Sequence, residues 1–396
     1  MSVNPEVRAL IQHLLEVTQL SERRDKNLSL ITGLPGPLLF QWYAAKADFC
    51  AIDTIQFQQD LQQITSSVHL LGRNTTFGYG LAGYGWLLEL LLAEQADDYD
   101  PDFNQEIEDF LLADIRRHDT WAGDIEFVLG LSGVAAFAAR RCRNHKKSEL
   151  YFAIVDAFSK IAMYESKTAC CWSTPAHSLY RFDKNHPEKP EYNLGLAHGV
   201  PAVICALLPA IEHSDRNLQA RKLVSDGCNW LVSQTLSANP ERSFFSHCSG
   251  EQHPSRLGWC YGDLTIALTL ARAGAALERP DLTSFARTVA IHAASRDAKS
   301  AMVVDAGLCH GSAGLMLIFQ LLNNIIPDPA LAKASDYWCE HTLRRYREDG
   351  IPGLYAFKSG DYVMEHGLLE GLSGIGLCLL ANQGVAPDWA DAFLLA

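Results

Sequence analysis

One pattern organises this chain, and it is clearest in Leu308-Cys309-His310-Gly311-Ser312-Ala313-Gly314. Neighbouring side chains on a helix point in different directions, so Cys309 and His310 can converge on one point only from a turn. Gly311 supplies the backbone freedom that such a turn requires. Beyond it, apolar residues recur at helical spacing from 315 to 322. The stretch therefore predicts a glycine turn that leads into a buried helix.

The same glycine pattern recurs along the chain, each time after a loop and before an apolar run. Copies begin near residues 33, 80, 130, 195, 262, 311 and 371. Between them, apolar residues recur at i, i+3 and i+4, which predicts further helices over 7–20, 102–115, 148–163, 219–236, 284–294 and 330–346. Strand signals are scarce. The sequence therefore predicts an all-α fold made of helical hairpins, which either stack as an open solenoid or close into a barrel of seven. Closure is favoured, because the glycine-bearing helices are apolar on nearly every side.

A single domain over residues 1–396 is expected, because no stretch has the composition of an interdomain linker. Irregular loops are predicted near 171–193 and 239–257, and each precedes a glycine copy that carries polar residues. In the copies at 33, 80 and 371, the glycines are expected to serve packing alone.

Charge and composition exclude several functional classes. The net charge is −13 and the sequence contains no basic stripe, which argues against a nucleic-acid-binding protein. The N-terminus lacks the sections of a signal peptide, and no apolar run is long enough to span a bilayer. The eleven cysteines are odd in number and irregular in spacing, so free thiols in a reducing cytoplasm are expected.

Cysteine and histidine replace small residues at the turns of three consecutive copies. These residues are His198, Cys260 and the Cys309-His310 pair. Two thiolates and one imidazole form a ligand set that suits zinc, and three protein ligands leave the fourth position open. The two cysteines also fit a simpler interpretation as buried apolar side chains.

His198 is a candidate proton donor, although a lone histidine on an apolar element is also typical of a hydrogen-bonded core. Copy three contributes two acids just before its glycines, Asp124 and Glu126. A carboxylate there would orient an imidazole, and the alternative is acidic charge favoured at a helix start. The 239–257 loop carries further potential ligands, and solvent-exposed loop residues are the simpler interpretation of this set: His247, Cys248 and His253.

The chain resembles the lanthionine synthetase C-like (LanC) family in three motifs. They are Gly195-x-x-His198-Gly199, Trp259-Cys260-Tyr261-Gly262 and Cys309-His310-Gly311. The similarity covers essentially the whole chain. It implies an α/α toroid of seven inner and seven outer helices, with one zinc ion at its mouth. The zinc ligands that it implies are Cys260, Cys309 and His310.

The resemblance also assigns catalytic residues. His198 matches the catalytic histidine of the family, Tyr261 its tyrosine after the first zinc cysteine, and Arg256 its active-site arginine. Glu126 stands where the family usually has an aspartate, and Asp124 is the alternative. The family commonly continues W-C-Y-G with x-Pro-Gly, whereas residues 263–265 read Asp-Leu-Thr here. Two roles remain open for Arg256: a place in the active site, or an ion pair with Asp263.

Family membership implies a zinc-dependent lanthionine synthetase, which adds peptide cysteine thiolates to dehydroalanine or dehydrobutyrine and forms thioether rings. The implied partners are a dehydrated precursor peptide and a separate dehydratase. Three alternatives remain: a relative that adds glutathione to dehydrated residues, a zinc prenyltransferase, and a helical-repeat binding scaffold with a structural zinc. The prenyltransferase is disfavoured, because no aspartate accompanies W-C-Y-G as its Asp-Cys-His ligand set would require.

Overall fold

The structure is a computed structural model. It describes residues 4–19, 27–93, 100, 102–117, 119–146, 149–175, 190–212, 216–236 and 243–396. The α-helices in these residues, in chain order, are α1 (Pro5–Val17), α2 (Pro35–Lys46), α3 (Thr54–Ser66), α4 (Leu81–Ala93), α5 (Gln105–Ile115), α6 (Leu131–His145), α7 (Glu149–Ile161), α8 (Val200–Leu207), α9 (Asn217–Ser233), α10 (Asp263–Leu277), α11 (Pro280–Ala294), α12 (Ser312–Ile325), α13 (Pro329–Asp349) and α14 (Leu372–Asn382).

The all-α prediction is confirmed. Every even-numbered helix begins at a copy of the glycine pattern, and we call these the glycine helices. They are buried over most of their surface, and all eight residues of α8 are buried. The odd-numbered helices bury one face, as α1 does with Val7, Leu10, Ile11 and Leu14. This difference follows from the sequence, because the first set is largely apolar, apart from the charged second half of α6, and the second is amphipathic.

Six of the odd-numbered helices overlap the predicted segments, and their boundaries differ by a few residues. The helix α3 was not predicted. It buries only Phe57, Asp60 and Ile64, so its glutamine-rich sequence shows a weak apolar period. The start of α3 is nevertheless determined by a local N-cap, because the Asp53 side chain accepts hydrogen bonds from the main-chain N–H groups of Ile55 and Gln56.

The described residues divide into two compact units. The first contains those within Met1–Asn74, Leu257–Trp259 and Ala294–Asp388, and the second contains those within Thr75–Arg256, Cys260–Ala293 and Trp389–Ala396. In the first unit, α14 packs against α1, α2 and α12. In the second unit, α6 packs against α4 and α8, and α8 packs against α10. The prediction of a single domain over 1–396 stays a prediction.

Short strands interrupt the helices in two places. Strands β1 (Met163–Ser166) and β2 (Ala169–Cys171) form one antiparallel hairpin, and β3 (Ala356–Lys358) and β4 (Asp361–Val363) form another. The first hairpin leads into the predicted irregular loop at 171–193, of which residues 176–189 lie outside the described part of the chain. In the loop at 239–257, residues 239–242 lie outside it.

Seven residues with a common framework precede five of the glycine helices. We call the segments 124–130, 193–199, 256–262, 305–311 and 365–371 the leading turns, and number their positions 1 to 7. Position 7 is glycine in all five. In four leading turns, the first helical residue donates its N–H to the carbonyl of position 1, at 2.9 to 3.1 Å. These pairs are Leu131 with Asp124, Val200 with Asn193, Ser312 with Asp305 and Leu372 with Glu365.

Glycine at position 7 is required by close approach of the backbone to itself. A Cβ on Gly262 would lie 1.8 Å from the carbonyl oxygen of Arg256, and Gly262 has a φ of +108°, which side chains rarely adopt. A Cβ on Gly199 would lie 1.9 Å from the carbonyl oxygen of Asn193. The glycine at position 7 is therefore explained by the close packing of the end of each leading turn against the backbone of the same turn.

Successive leading turns are joined by main-chain hydrogen bonds within each unit. In the second unit, Phe127 donates to Ala197, and Ala197 donates to Cys260. In the first unit, Trp259 donates to Cys309, and Cys309 donates to Leu369. These bonds align equivalent positions of consecutive turns. Side chains at positions 5 and 6 of consecutive turns are consequently brought together.

Candidate metal centre

The two predicted cysteine ligands share one position of the framework. Cys260 and Cys309 stand at position 5 of their turns, and His310 stands at position 6. The N–H of Trp259 donates to the carbonyl oxygen of Cys309 at 2.6 Å, so the residue before Cys260 is fixed beside Cys309. This approach needs glycine at 258, because a Cβ there would lie 3.0 Å from that same oxygen and 3.1 Å from the Cα of His310.

The result is a compact cluster of possible metal ligands. One ligand atom each from Cys260, Cys309 and His310 lies within 4.8 Å of the other two. Both cysteines are 8% exposed and His310 is partly buried. Two sulfurs and one ring nitrogen at this spacing fit the donor set of zinc, so the cluster could hold a metal ion such as zinc. Buried apolar cysteines alone would not require this convergence with an imidazole.

A buried carboxylate adjoins the histidine of this cluster. Asp305 is 2% exposed, and its Oδ2 lies 3.5 Å from Nε2 of His310. Histidines that bind metals commonly turn their second ring nitrogen toward a carboxylate, so this neighbour also fits a metal site. Sequence analysis did not single out Asp305. Its signal was its place at position 1 of a leading turn, which becomes visible only when the turns are superimposed in register.

His198 contacts one of the two candidate acids. Its Nδ1 lies 3.3 Å from Oε2 of Glu126, and its side chain is 40% exposed. The other carboxylate oxygen of Glu126 accepts the N–H of Leu129. Asp124 contributes its main-chain oxygen instead, which accepts the indole N–H of Trp121 at 3.0 Å. The extra methylene of Glu126 therefore does not prevent it from reaching His198.

Tyr261 lies beside His198, with 5.4 Å between the ring centroids. The phenol oxygen of Tyr261 accepts a hydrogen bond from Nδ2 of Asn193 at 2.9 Å. Burial raises the pKa of Tyr261 well above its usual value, so the hydroxyl keeps its proton near neutral pH. Because its oxygen is already an acceptor, the O–H is left to donate. Asn193 was another residue that sequence analysis missed.

Arg256 stands at position 1 of its leading turn and is partly exposed. Within the described residues, its guanidinium forms no hydrogen bond or ion pair. The alternative pairing with Asp263 is not found, because that buried carboxylate accepts from Ser243 and from the main-chain N–H groups of Phe244 and Phe245, at 2.9 to 3.0 Å. An active-site role for Arg256 stays a prediction.

The additional cysteine and histidines of the 239–257 loop have separate positions. His247 packs edge-on against Tyr261, with 4.8 Å between ring centroids. The Cys248 thiol contacts the Glu191 carboxylate, and His253 is exposed. Over the described residues, the one group of three possible ligands is the Cys260, Cys309 and His310 cluster. A competing site built from the loop residues is therefore not formed.

Similarity to known proteins agrees with these observations. Residues 24–394 match the family model described as lanthionine synthetase C-like protein. Among solved structures, nisin cyclase is similar with a TM-score of 0.77 at 21% identity, over 98% of this chain and 97% of that chain. No curated protein matches the sequence. In the described residues, no helix combines the length and the apolar character needed to cross a bilayer. The similarity to nisin cyclase confirms the α/α toroid fold, and the chain belongs to the lanthionine synthetase C-like family.

Proposed function

We propose that the protein is a zinc-dependent lanthionine synthetase that closes thioether rings in a dehydrated ribosomal peptide. The observation that carries the proposal is the convergence of Cys260, Cys309 and His310, with one ligand atom each within 4.8 Å. The nearby pair of His198 and Glu126 supports it, because thioether formation needs a proton donor as well as an activated thiol.

Cys260, Cys309 and His310 would hold the zinc ion, which supplies a lowered thiol pKa so that a substrate cysteine reacts as thiolate near neutral pH. Three ligands from the chain would leave one position for the substrate sulfur. In such a site Cys260 and Cys309 would be thiolates, and their negative charge would leave on the substrate sulfur the electron density that a nucleophile needs.

The reaction joins the cysteine sulfur to Cβ of dehydroalanine or dehydrobutyrine. The π electrons of the alkene move toward the carbonyl and give an enolate, and a proton then adds at Cα. The proton lost by the thiol equals the proton gained at Cα, so ring closure changes neither mass nor oxidation state. The chain must therefore supply one proton donor and one stabiliser of the enolate oxygen.

His198 is the proposed proton donor to Cα. Its Nδ1 faces Glu126, so Nε2 is the nitrogen left for the substrate, and the carboxylate stabilises the imidazolium by its charge. Tyr261 is the proposed donor to the enolate oxygen, since Asn193 leaves its O–H proton unused. Arg256 is a further candidate for that role through its partly exposed guanidinium.

The substrate and setting follow from this chemistry. The electrophile is made by loss of water from serine or threonine, so a separate dehydratase is the proposed partner. All eleven cysteines lie in described residues and are free thiols, which supports a reducing cytoplasm as the proposed location.

The test is incubation of the zinc-loaded protein with a dehydrated peptide that contains a free cysteine. Loss of the free thiol without a change of mass is expected, and the variant His198→Asn should keep its zinc but lose this activity. Addition of glutathione to the assay separates a second activity, because a mass gain of one glutathione identifies the thiol-adding relative. Zinc binding without either product identifies a binding scaffold and refutes the synthetase.

A further inference from the structure

Asp305 is held rigidly beside the candidate metal ligands. Its Oδ1 accepts the N–H of Gly307 at 3.1 Å, and its Oδ2 accepts the N–H of Phe357 at 3.1 Å. Its carbonyl oxygen accepts the N–H of Ser312 at the start of α12. The carboxylate is therefore held by two main-chain N–H groups and the backbone of Asp305 by a third, and Oδ2 also lies 3.5 Å from Nε2 of His310.

Closure of the turn alone does not explain a carboxylate at this position. Asn193 occupies position 1 of its own leading turn, and its Oδ1 accepts the N–H of Gly195 at 2.8 Å in the same way. An amide oxygen is thus sufficient for the turn. The difference lies in the second atom of the side chain: the amide of Asn193 donates to Tyr261, whereas Oδ2 of Asp305 is an acceptor that faces His310.

We propose that Asp305 is a positioning residue for His310. It accepts the Nε2 proton of the ring, fixes the ring orientation, and leaves Nδ1 without a proton as the metal ligand. The inference rests on the proposed zinc site and deepens it. Carboxylates that act in this way on metal-bound histidines typically contribute a factor of about 10 to 100 in metal affinity.

The variant Asp305→Asn tests this assignment. An amide can still accept from Gly307, but an NH₂ group facing His310 favours the tautomer that carries its proton on Nδ1 and so cannot bind metal there. We expect zinc affinity, measured by competition with a chromophoric chelator, to fall about 10- to 100-fold. The matched control is Asp297→Asn, because Asp297 also accepts a main-chain N–H, from Ser300, but is exposed and belongs to no ligand cluster.

A second background separates positioning from general structural damage. Cadmium binding to the two remaining thiolates is measured in His310→Ala and in His310→Ala with Asp305→Asn. If Asp305 acts through His310, the second substitution leaves cadmium affinity unchanged. An equal loss of affinity with and without His310, accompanied by a lower unfolding temperature of the metal-free variant, assigns Asp305 to folding and overturns the proposal.

The outcomes also separate this inference from the proposed function. A wild-type protein that binds no zinc refutes the metal site itself. Zinc binding by the wild type together with an unchanged affinity in Asp305→Asn refutes only the role of Asp305.

Discussion

Glu126 lies in direct contact with His198, with 3.3 Å between Oε2 and Nδ1, although 72 positions separate the two residues in sequence. Position 3 of the other four leading turns is glycine, and only the turn at 124–130 has a side chain there. The contact therefore depends on a single departure from the repeat.

The first prediction concerns this acid. Glu126→Gln keeps the size of the side chain but removes the charge that stabilises the imidazolium of His198. We expect ring-closure turnover to fall by about 10²-fold with zinc content unchanged. Asp124→Asn is the matched control, because it is the other acid before the same glycine and Glu126 is the one that contacts His198, and near-normal turnover is expected. A reversed order of the two effects would assign the role to Asp124.

The second prediction concerns the phenol. Tyr261→Phe removes the O–H that we assign to the enolate oxygen, and turnover should fall by about 10²-fold, the scale seen when one such donor is lost. Asn193→Ala should produce part of this loss, since it releases the hydroxyl that it now holds at 2.9 Å. In the double variant, Asn193→Ala should add little to Tyr261→Phe. Additive losses would show that Asn193 acts through another group.

The third prediction separates the metal from the fold. Cys309→Ala should abolish zinc binding, as measured by metal analysis, while circular dichroism shows nearly unchanged helical content. The expectation follows because the turn is held by main-chain bonds of Cys309, to Trp259 and Leu369, which alanine retains. Cys50→Ser serves as the control, since Cys50 is not in the cluster. Global unfolding of Cys309→Ala would identify a structural ion.

The fourth prediction concerns a buried ion pair in the second unit. Asp391 accepts from the buried Arg140 at 2.7 Å and from the indole N–H of the buried Trp86 at 3.1 Å, and the exposed Arg143 lies 3.2 Å from its Oδ2. Asp391→Ala removes the carboxylate that faces the buried guanidinium of Arg140, so the free energy of unfolding should fall by about 3–5 kcal/mol in denaturant titration. The partly exposed pair of Asp156 with Arg216 provides the contrast: Asp156→Ala should cost less than about 1 kcal/mol. Equal losses would contradict the role of burial.

The fifth prediction concerns pH and stability. Burial, followed by the charges of Arg344 and Arg345, lowers the pKa of His341 to about 4. In the unfolded chain a histidine has a pKa of about 6.5, so between these values the unfolded state binds a proton that the folded state does not. The contribution of His341 to stability is therefore present above about pH 6.5 and is lost as the pH falls toward 4.

His341→Leu should flatten the pH dependence of the unfolding free energy between about pH 6.5 and pH 4.5, and leave its slope above pH 7.5 unchanged. Denaturant titrations across this range provide the measurement. Identical slopes for the variant and the wild type would show that other groups control acid stability.

Local constraints made much of the fold readable from the sequence. Each glycine at position 7 closely approaches the backbone of its own leading turn, as Gly262 approaches the carbonyl oxygen of Arg256, so the requirement is contained within one short motif. The helix α3 was missed for the opposite reason: its three buried residues leave almost no apolar period to detect.

The candidate site was readable only in part. Cys260, Cys309, His310 and His198 stand out because cysteine or histidine replaces small residues in a repeat. Asn193 and Asp305 do not, because asparagine and aspartate are ordinary turn residues and their further contacts join separate stretches. Asn193 reaches Tyr261 across 68 positions, and Asp305 receives the N–H of Phe357 across 52.

In the leading turns, different positions determine the backbone conformation and the functional side chains. Their path is specified by glycines and carbonyl groups, while positions 5 and 6 are open to very different side chains, from Cys309 and His310 to Leu369 and Glu370 in the next turn. A protein designer could introduce a new pair of metal ligands in that neighbouring turn by substitution, without changing the backbone. Because the leading turns share one backbone conformation, a repeat that arises by duplication can also gain new reactivity through substitutions in a single turn.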